Sequence, residues 1–191
     1  MADYRFSAKP ISRSKGQSSV ASAAYRAGTR LREERTGEIH DYGRKSGVIH
    51  SEVMAPEATP EWMHDRAQLW NAVEAVERRK DAQLAREIQL SLPHELEPDQ
   101  RLEVVRGFVQ EQFVDRGMIA DVALHAPSEK GDQRNHHAHV MLTMRELSGD
   151  GFGPKNRSWN DPELLKQWRE EWSNHQNRAL ERHGHSSRVD H

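Results

Sequence analysis

Three stretches of this 191-residue chain alternate apolar and polar residues: AREIQLSLP, MIADVALH (Met118–His125) and HAHVMLTMRE (His137–Glu146). A period of two is what a strand shows when its two faces meet different surroundings. In the first stretch Ile88, Leu90 and Leu92 face one way and Glu87, Gln89 and Ser91 the other. In the second, Met118, Ala120, Val122 and Leu124 share the apolar face, opposite Ile119, Asp121, Ala123 and His125. In the third, Ala138, Val140, Leu142 and Met144 lie opposite His137 and His139. Such segments need a common sheet whose apolar face is covered by helices.

The covering helices are legible. Tyr4 to about Ile11 reads as a first strand, followed by a basic loop and a helix capped by Ser18 or Ser19, with Gly37 after its end. Residues 36–58 carry Gly, Pro and short apolar stretches and read as loop with one or two short strands. Thr59-Pro60-Glu61 starts a helix running to about Lys80, with Trp62, Leu69, Trp70, Val73 and Val76 at helical spacing. Pro98 to Arg116 is a second amphipathic helix, with Leu102, Val105, Phe108, Val109 and Phe113 on one stripe and Gly117 as its stop. A last helix follows Asn160 as cap, with Glu163 closing a capping box and Trp159 and Leu164 placed as a hydrophobic staple. The order β, α, short β, α, β, α, β, β, α contains no regular βαβ repeat. It predicts an α+β fold with an antiparallel or mixed sheet and helices packed on one face.

The chain has 12 histidines and no cysteine. Absent thiols exclude a disulfide scaffold, thiolate zinc sites and cysteine catalysis, so a metal site has to use His and carboxylates. No apolar run approaches the roughly 20 residues of a membrane span, and MADYRFSAKP lacks a signal peptide's apolar block, so a soluble cytoplasmic protein is expected. The net charge of -2 conceals an asymmetry: +5 over residues 1–50 and -6 over residues 51–100. A basic N-terminal quarter can present a positive face even in a near-neutral chain, with the acidic middle expected mostly on helices behind the sheet.

His137 and His139 share one strand face, about 7 Å apart at Cα. His125 has the matching phase on the preceding strand. If those strands pair, three imidazoles converge on the open sheet face. Three His with vacant positions is the layout of a catalytic metal site, whereas an isolated His-x-His on a solvent-facing strand is more often polar filler. His136 has the phase of the apolar side or the loop. Tyr25 lies in SSVASAAYRAG, where Ala21, Ala24 and Gly28 allow close approach. It reads either as a core tyrosine or as a nucleophile toward a phosphodiester. Glu87 reads either as a surface carboxylate or as a group that orients a metal-ligating His or takes a proton.

Four segments carry a family resemblance from residue 4 to the end: FSAKPISRSKGQSSVASAAYRAG, WNAVEAVERRKDAQLAREIQLSLPHEL, HHAHVMLTMRE and RVDH. Together they resemble the MobA/MobL (MobQ-class) conjugative relaxases. The resemblance implies a HUH-type endonuclease fold: a central antiparallel sheet of about five strands, flanked by helices, whose His-hydrophobic-His strand holds a metal. It implies Tyr25 as nucleophile, His137 and His139 as the HUH pair, His125 as third ligand and Glu87 as acidic partner of the site. Two features depart from the family pattern. The loop of eleven residues between His125 and His137 is longer than expected, and His136 stands where a proline is usual, which leaves His136 open as a substitute ligand.

Similar enzymes nick one strand at a plasmid transfer origin. The tyrosine becomes linked to the 5′ phosphate, releases a 3′ hydroxyl, and the reverse attack rejoins the strand. The implied cofactor is one divalent ion, Mg²⁺ or Mn²⁺, with Zn²⁺ or Ni²⁺ able to occupy a three-His site in vitro. The implied partners are single-stranded DNA at the transfer origin, accessory relaxosome proteins and a coupling protein, with no membrane insertion. Lys9, Arg13, Lys15 and Arg26 are then placed to meet phosphates, with Arg30, Lys130 and Arg134 as further candidates. Residues 1–191 are expected to form one relaxase domain, the N-terminal part of a longer protein. Rival readings are a rolling-circle replication initiator with the same chemistry, a non-catalytic single-stranded DNA-binding module, and a zinc hydrolase that activates water and needs no tyrosine.

Overall fold

The computed structural model describes residues 4–191. The first half contains β1 (Phe6–Ser12), α1 (Ser19–Ala27), β2 (Arg30–Arg32), β3 (Ile39–Asp41), β4 (Val48–Met54) and α2 (Arg66–Val76). The second contains β5 (Gln83–Ser91), α3 (Pro98–Gln112), β6 (Ala120–His125), β7 (His137–Leu142), β8 (Arg145–Ser148), β9 (Gly151–Lys155) and α4 (Pro162–Arg182). The three alternating stretches β5, β7 and β6 lie side by side at the centre of a five-stranded sheet of order β1-β5-β7-β6-β4. Every pairing in it is antiparallel.

One face carries Ile88, Leu90, Val122, Leu124, Ala138, Val140 and Leu142, as the alternation requires, and packs on Phe108 and Val109 of α3 and Trp168 and Trp172 of α4. Burying a side chain such as Phe108 contributes roughly 1.5–3 kcal/mol. The second face is covered as well, by Val20, Ala23 and Ala24 of α1 and Leu69, Trp70 and Val73 of α2, which meet Ile11, Ile119 and Met141. Helices on one face only, as the element order suggests, is therefore corrected to helices on both. Of the polar positions on the second face, Glu87, Ser91, Asp121, His125 and His139 are buried, while Gln89 and His137 are half-buried. Asp121 is held by two nitrogens of Arg66 (2.8–3.0 Å) and by Trp70 Nε1 (2.9 Å).

Several boundaries shift for local reasons. α1 ends at Gly28 rather than running toward Gly37, because Gly28 takes the left-handed conformation (φ 64) and its N–H returns to the Ala24 carbonyl. Residues 30–32 then pair with β3 as a small ribbon. Thr59-Pro60 opens only a 3₁₀ turn (Glu61–His64), and α2 begins at its own cap, Asp65, which accepts from Gln68 N at 2.9 Å. α3 stops at Gln112 and passes through a 3₁₀ turn (Val114–Arg116) to Gly117. β7 ends at Leu142, and residues 145–148 belong to a β8–β9 hairpin instead. The cap of α4 is Asp161, which accepts from Glu163 N at 2.9 Å, so the capping box on Asn160 is not formed.

Candidate metal centre and active site

β6 and β7 pair over six rungs, the last of which sets His125 directly opposite His137; His139 lies opposite Ala123. The register brings the three rings together, with centroids 4.9–5.4 Å apart. Each offers a ring nitrogen, and those nitrogens lie within 4.8 Å of one another. His136 is outside the group. Its carbonyl accepts from Leu92 N, and its ring is close enough to Arg101 and His94 for their charges to act on it.

Every one of the three imidazoles has one nitrogen engaged by a group that is not a metal. His139 Nδ1 donates to Glu87 Oε1 at 2.9 Å, His137 Nδ1 to the Asn135 carbonyl at 3.1 Å, and His125 Nε2 to the Arg26 carbonyl at 2.7 Å. Fixing the proton on one nitrogen leaves the other as a lone pair for coordination. Burial pushes the His125 pKa down to about 4, and the nearby charges of His139, Lys45 and His137 add to the effect. Burial likewise lowers His139. Glu87 is buried, which by itself raises its pKa. The hydrogen bond from His139 and the charges of Arg26 and Lys9 outweigh this and hold it below the usual glutamate range. The result is two imidazoles held neutral beside a buried carboxylate. A donor set of three imidazoles with fixed outer partners fits a divalent first-row metal ion.

α1 completes the site. Its last turn supplies the Arg26 carbonyl to His125 and the Arg26 guanidinium to Glu87 (Nη2–Oε1 2.8 Å). That carbonyl is one of the helix-end acceptors that have no partner within the helix. One residue earlier, Tyr25 is 43% exposed, which removes the core-tyrosine reading. Its ring meets Tyr42 edge-on at 5.1 Å, and Lys45 Nζ sits 3.6 Å from its centroid while donating to the Tyr25 carbonyl at 2.8 Å. A cleft of about 550 Å³ opens beside it, bordered by Arg26, Arg35, His40 and Tyr42.

Among the expected phosphate contacts, Lys9 is exposed on β1 directly opposite Glu87, and Lys15 is exposed in the turn Arg13–Lys15. Arg26 is engaged with Glu87. Arg13 is corrected: its guanidinium binds Glu74 Oε1 at 2.9 Å and the carbonyls of Glu74, Glu77 and Arg79. It fastens the turn after β1 to the end of α2 and the segment beyond it rather than facing solvent. The acidic middle is also internal in part. Glu74 is held by Arg13 and Ser19, and Glu77 by Arg145 and Lys155. Lys45 and Tyr42 were not legible, because they lie in a stretch with no periodicity.

The sequence profile of the MobA/MobL family matches residues 17–191. The mobilization protein MobL of Acidithiobacillus ferridurans is 41% identical over the whole chain, which spans 58% of that protein. The conjugal transfer protein TraA of Agrobacterium fabrum is 39% identical over 81% of the chain, which there spans 14%. A solved structure bearing on vancomycin resistance transfer in Staphylococcus aureus superposes with a TM-score of 0.92 at 36% identity, covering 99% of this chain and 98% of the other. The metal-bound relaxase TrwC in complex with oriT DNA shares the fold, with a TM-score of 0.64 at 9% identity over 97% of this chain and 73% of that one. With the expected five-stranded antiparallel sheet in place and the family profile matched over most of its length, this chain belongs to the MobA/MobL family.

Proposed function

We propose that this chain is a conjugative relaxase domain that nicks one DNA strand at a plasmid transfer origin by transesterification through Tyr25. The observation that carries the reading is the position of Tyr25 next to Arg26. One residue of α1 holds both a metal-ligating histidine and the carboxylate behind another, so the nucleophile is tied rigidly to the metal centre. Mobilization and conjugal-transfer proteins among the relatives, and the oriT complexes of TrwC, support the substrate class.

Tyr25 Oη attacks phosphorus, forming the phosphotyrosine bond as the 3′ oxygen leaves. The phenol's proton is lost to solvent and the 3′ oxygen gains one. The exchange of one phosphodiester for another conserves the bond energy, so reverse attack by a 3′ hydroxyl rejoins the strand. His125, His137 and His139 would hold a divalent ion, Mg²⁺ or Mn²⁺ in the cell, which when bound neutralises charge on the scissile phosphate. Glu87 is a positioning residue: it orients His139 and anchors Arg26. Lys9 and Lys15 offer charge to neighbouring phosphates. The reading extends to a cytoplasmic protein working with accessory relaxosome and coupling proteins, and to a domain that is one part of a longer polypeptide.

The test is incubation with labelled single-stranded transfer-origin DNA and Mn²⁺ or Mg²⁺. A denaturant-stable protein–DNA adduct, lost in Tyr25→Phe and in His137→Ala, is the expected result. Cleavage without an adduct would instead identify a metal hydrolase, and an adduct formed only on replication-origin DNA a rolling-circle initiator.

A further inference from the structure

On β5, Arg86 precedes Glu87 and points to the opposite face of the sheet, away from the metal centre. Its Nη2 donates to the Asn160 side-chain carbonyl, and its guanidinium lies over the Trp168 ring at 5.9 Å from the centroid. Its Nη1 is buried and has no hydrogen-bond partner among the described residues. Among the described residues no carboxylate forms an ion pair with Arg86, and burial lowers its pKa with no charge acting to raise it. A half-buried guanidinium without an anion is unfavourable and calls for one.

A cleft of about 240 Å³ opens on Arg86, bordered by Arg79, Lys155, Arg157 and a single acid, Asp81. Arg79 is paired with Asp81 and Lys155 with Glu77, both at 3.0 Å. The uncompensated charge is that of Arg86 and exposed Arg157. A neighbouring cleft shares Gln83, Arg86, Trp159 and Asn160 and runs to Lys9 and Pro10 on the β1 edge. Asp161 borders that second cleft and forms no ion pair among the described residues, whereas Asp81 in the first is neutralised by Arg79, so an anion is favoured in the first.

We propose that this cleft is a phosphate-binding site, in which Arg86 and Arg157 hold one phosphate group on the face of the sheet remote from the metal centre. A guanidinium's planar fork suits phosphate oxygens. The expected source is the backbone of the DNA strand served by the metal centre, passing over the β1 edge along Lys9. That source rests on the relaxase reading; the site itself does not.

The experiment measures binding of a mixed-sequence single strand of about 20 nucleotides in chelator, so that no nicking occurs, between about 50 and 200 mM salt. Wild type is compared with Arg86→Gln, Arg157→Gln and the control Lys166→Gln. Arg157 is exposed, so its variant folds even if Arg86→Gln does not. Each cleft variant is expected to lower the slope of log affinity against log salt by about 0.7, the loss of one phosphate contact, with the control unchanged. Wild-type slopes, together with pyrophosphate binding that calorimetry finds lost in both cleft variants, support the site with a free phosphate as its source. Wild-type slopes with no pyrophosphate binding overturn it. Neither readout uses Tyr25 or a metal, so failure of the nicking assay and failure here are separate results.

Discussion

The carbonyl of Arg26 accepts a hydrogen bond of 2.7 Å from Nε2 of His125, joining the last turn of α1 to the last residue of β6. Helix and strand meet through a group that the helix cannot satisfy internally. The backbone of Tyr25, the proposed nucleophile, is thereby positioned by the same contact that fixes the tautomer of His125.

Tyr25→Phe removes one exposed hydroxyl, and none of the ring's packing against Tyr42 and Lys45 depends on it. Adduct formation is expected to vanish while stability changes by less than about 0.5 kcal/mol. Denaturing gels and thermal melts of the same preparations check both halves.

Lys45→Met keeps the aliphatic stem and removes the cation 3.6 Å from the Tyr25 ring centroid. A cation over an aromatic face contributes about 0.5–2 kcal/mol, so single-turnover adduct formation is expected to slow by roughly 2- to 30-fold. An unchanged rate means the ring is oriented without Lys45.

Glu87→Gln keeps the shape and removes the charge shared by His139 and Arg26. Loss of such an outer partner typically costs 10–100-fold in metal affinity. Titration with Mn²⁺ followed by calorimetry is expected to show that loss, and equal affinity in variant and wild type would exclude Glu87 as an orienting group.

The metal-free protein should lose stability as pH falls from about 6.5 toward 4. His125 has a folded pKa of about 4, below its unfolded value near 6.5. In that window the unfolded chain takes up a proton that the native state refuses, so unfolding becomes more favourable with acid. The lowered Glu87 acts in the same direction at the acid end. Unfolding free energies from urea titrations are expected to fall by an amount on the order of 3 kcal/mol between neutral pH and pH 4, and His125→Asn should flatten most of the slope.

Arg13→Ala takes the nearer of two guanidiniums from the Glu74 carboxylate, 2% exposed, leaving Arg35 at 3.8 Å from the same oxygen and Ser19 on the other. Breaking a buried pair in this way costs about 3–5 kcal/mol. Chemical denaturation should report that loss while the salt dependence of DNA binding stays as in wild type. A changed salt slope would return Arg13 to the phosphate contacts.

What was legible in the chain follows from what each signal measures. Alternation measures which side chains share a face, and the faces of β5, β6 and β7 follow it residue by residue, including the phase that brings His125 to His137 and His139. Alternation does not report what covers the polar face. Asp121, Glu87 and His139 look like solvent-facing residues, because the groups that satisfy them (Arg66, Trp70 and Arg26) come from distant helices. Arg13 misleads for the same reason: a positive charge is visible in the sequence, but its partner Glu74 lies 61 residues away. Lys45 and Tyr42 sit in an aperiodic stretch, and only the fold brings them to Tyr25.

The six rungs between β6 and β7 set the positions of the three histidines, and the loop 126–136 that joins the two strands lies outside those rungs. Lengthening such a loop costs little, about 0.6 kcal/mol for each doubling, and leaves the strand register intact. The connection can therefore change in length and composition while the three histidines keep their places on the paired strands.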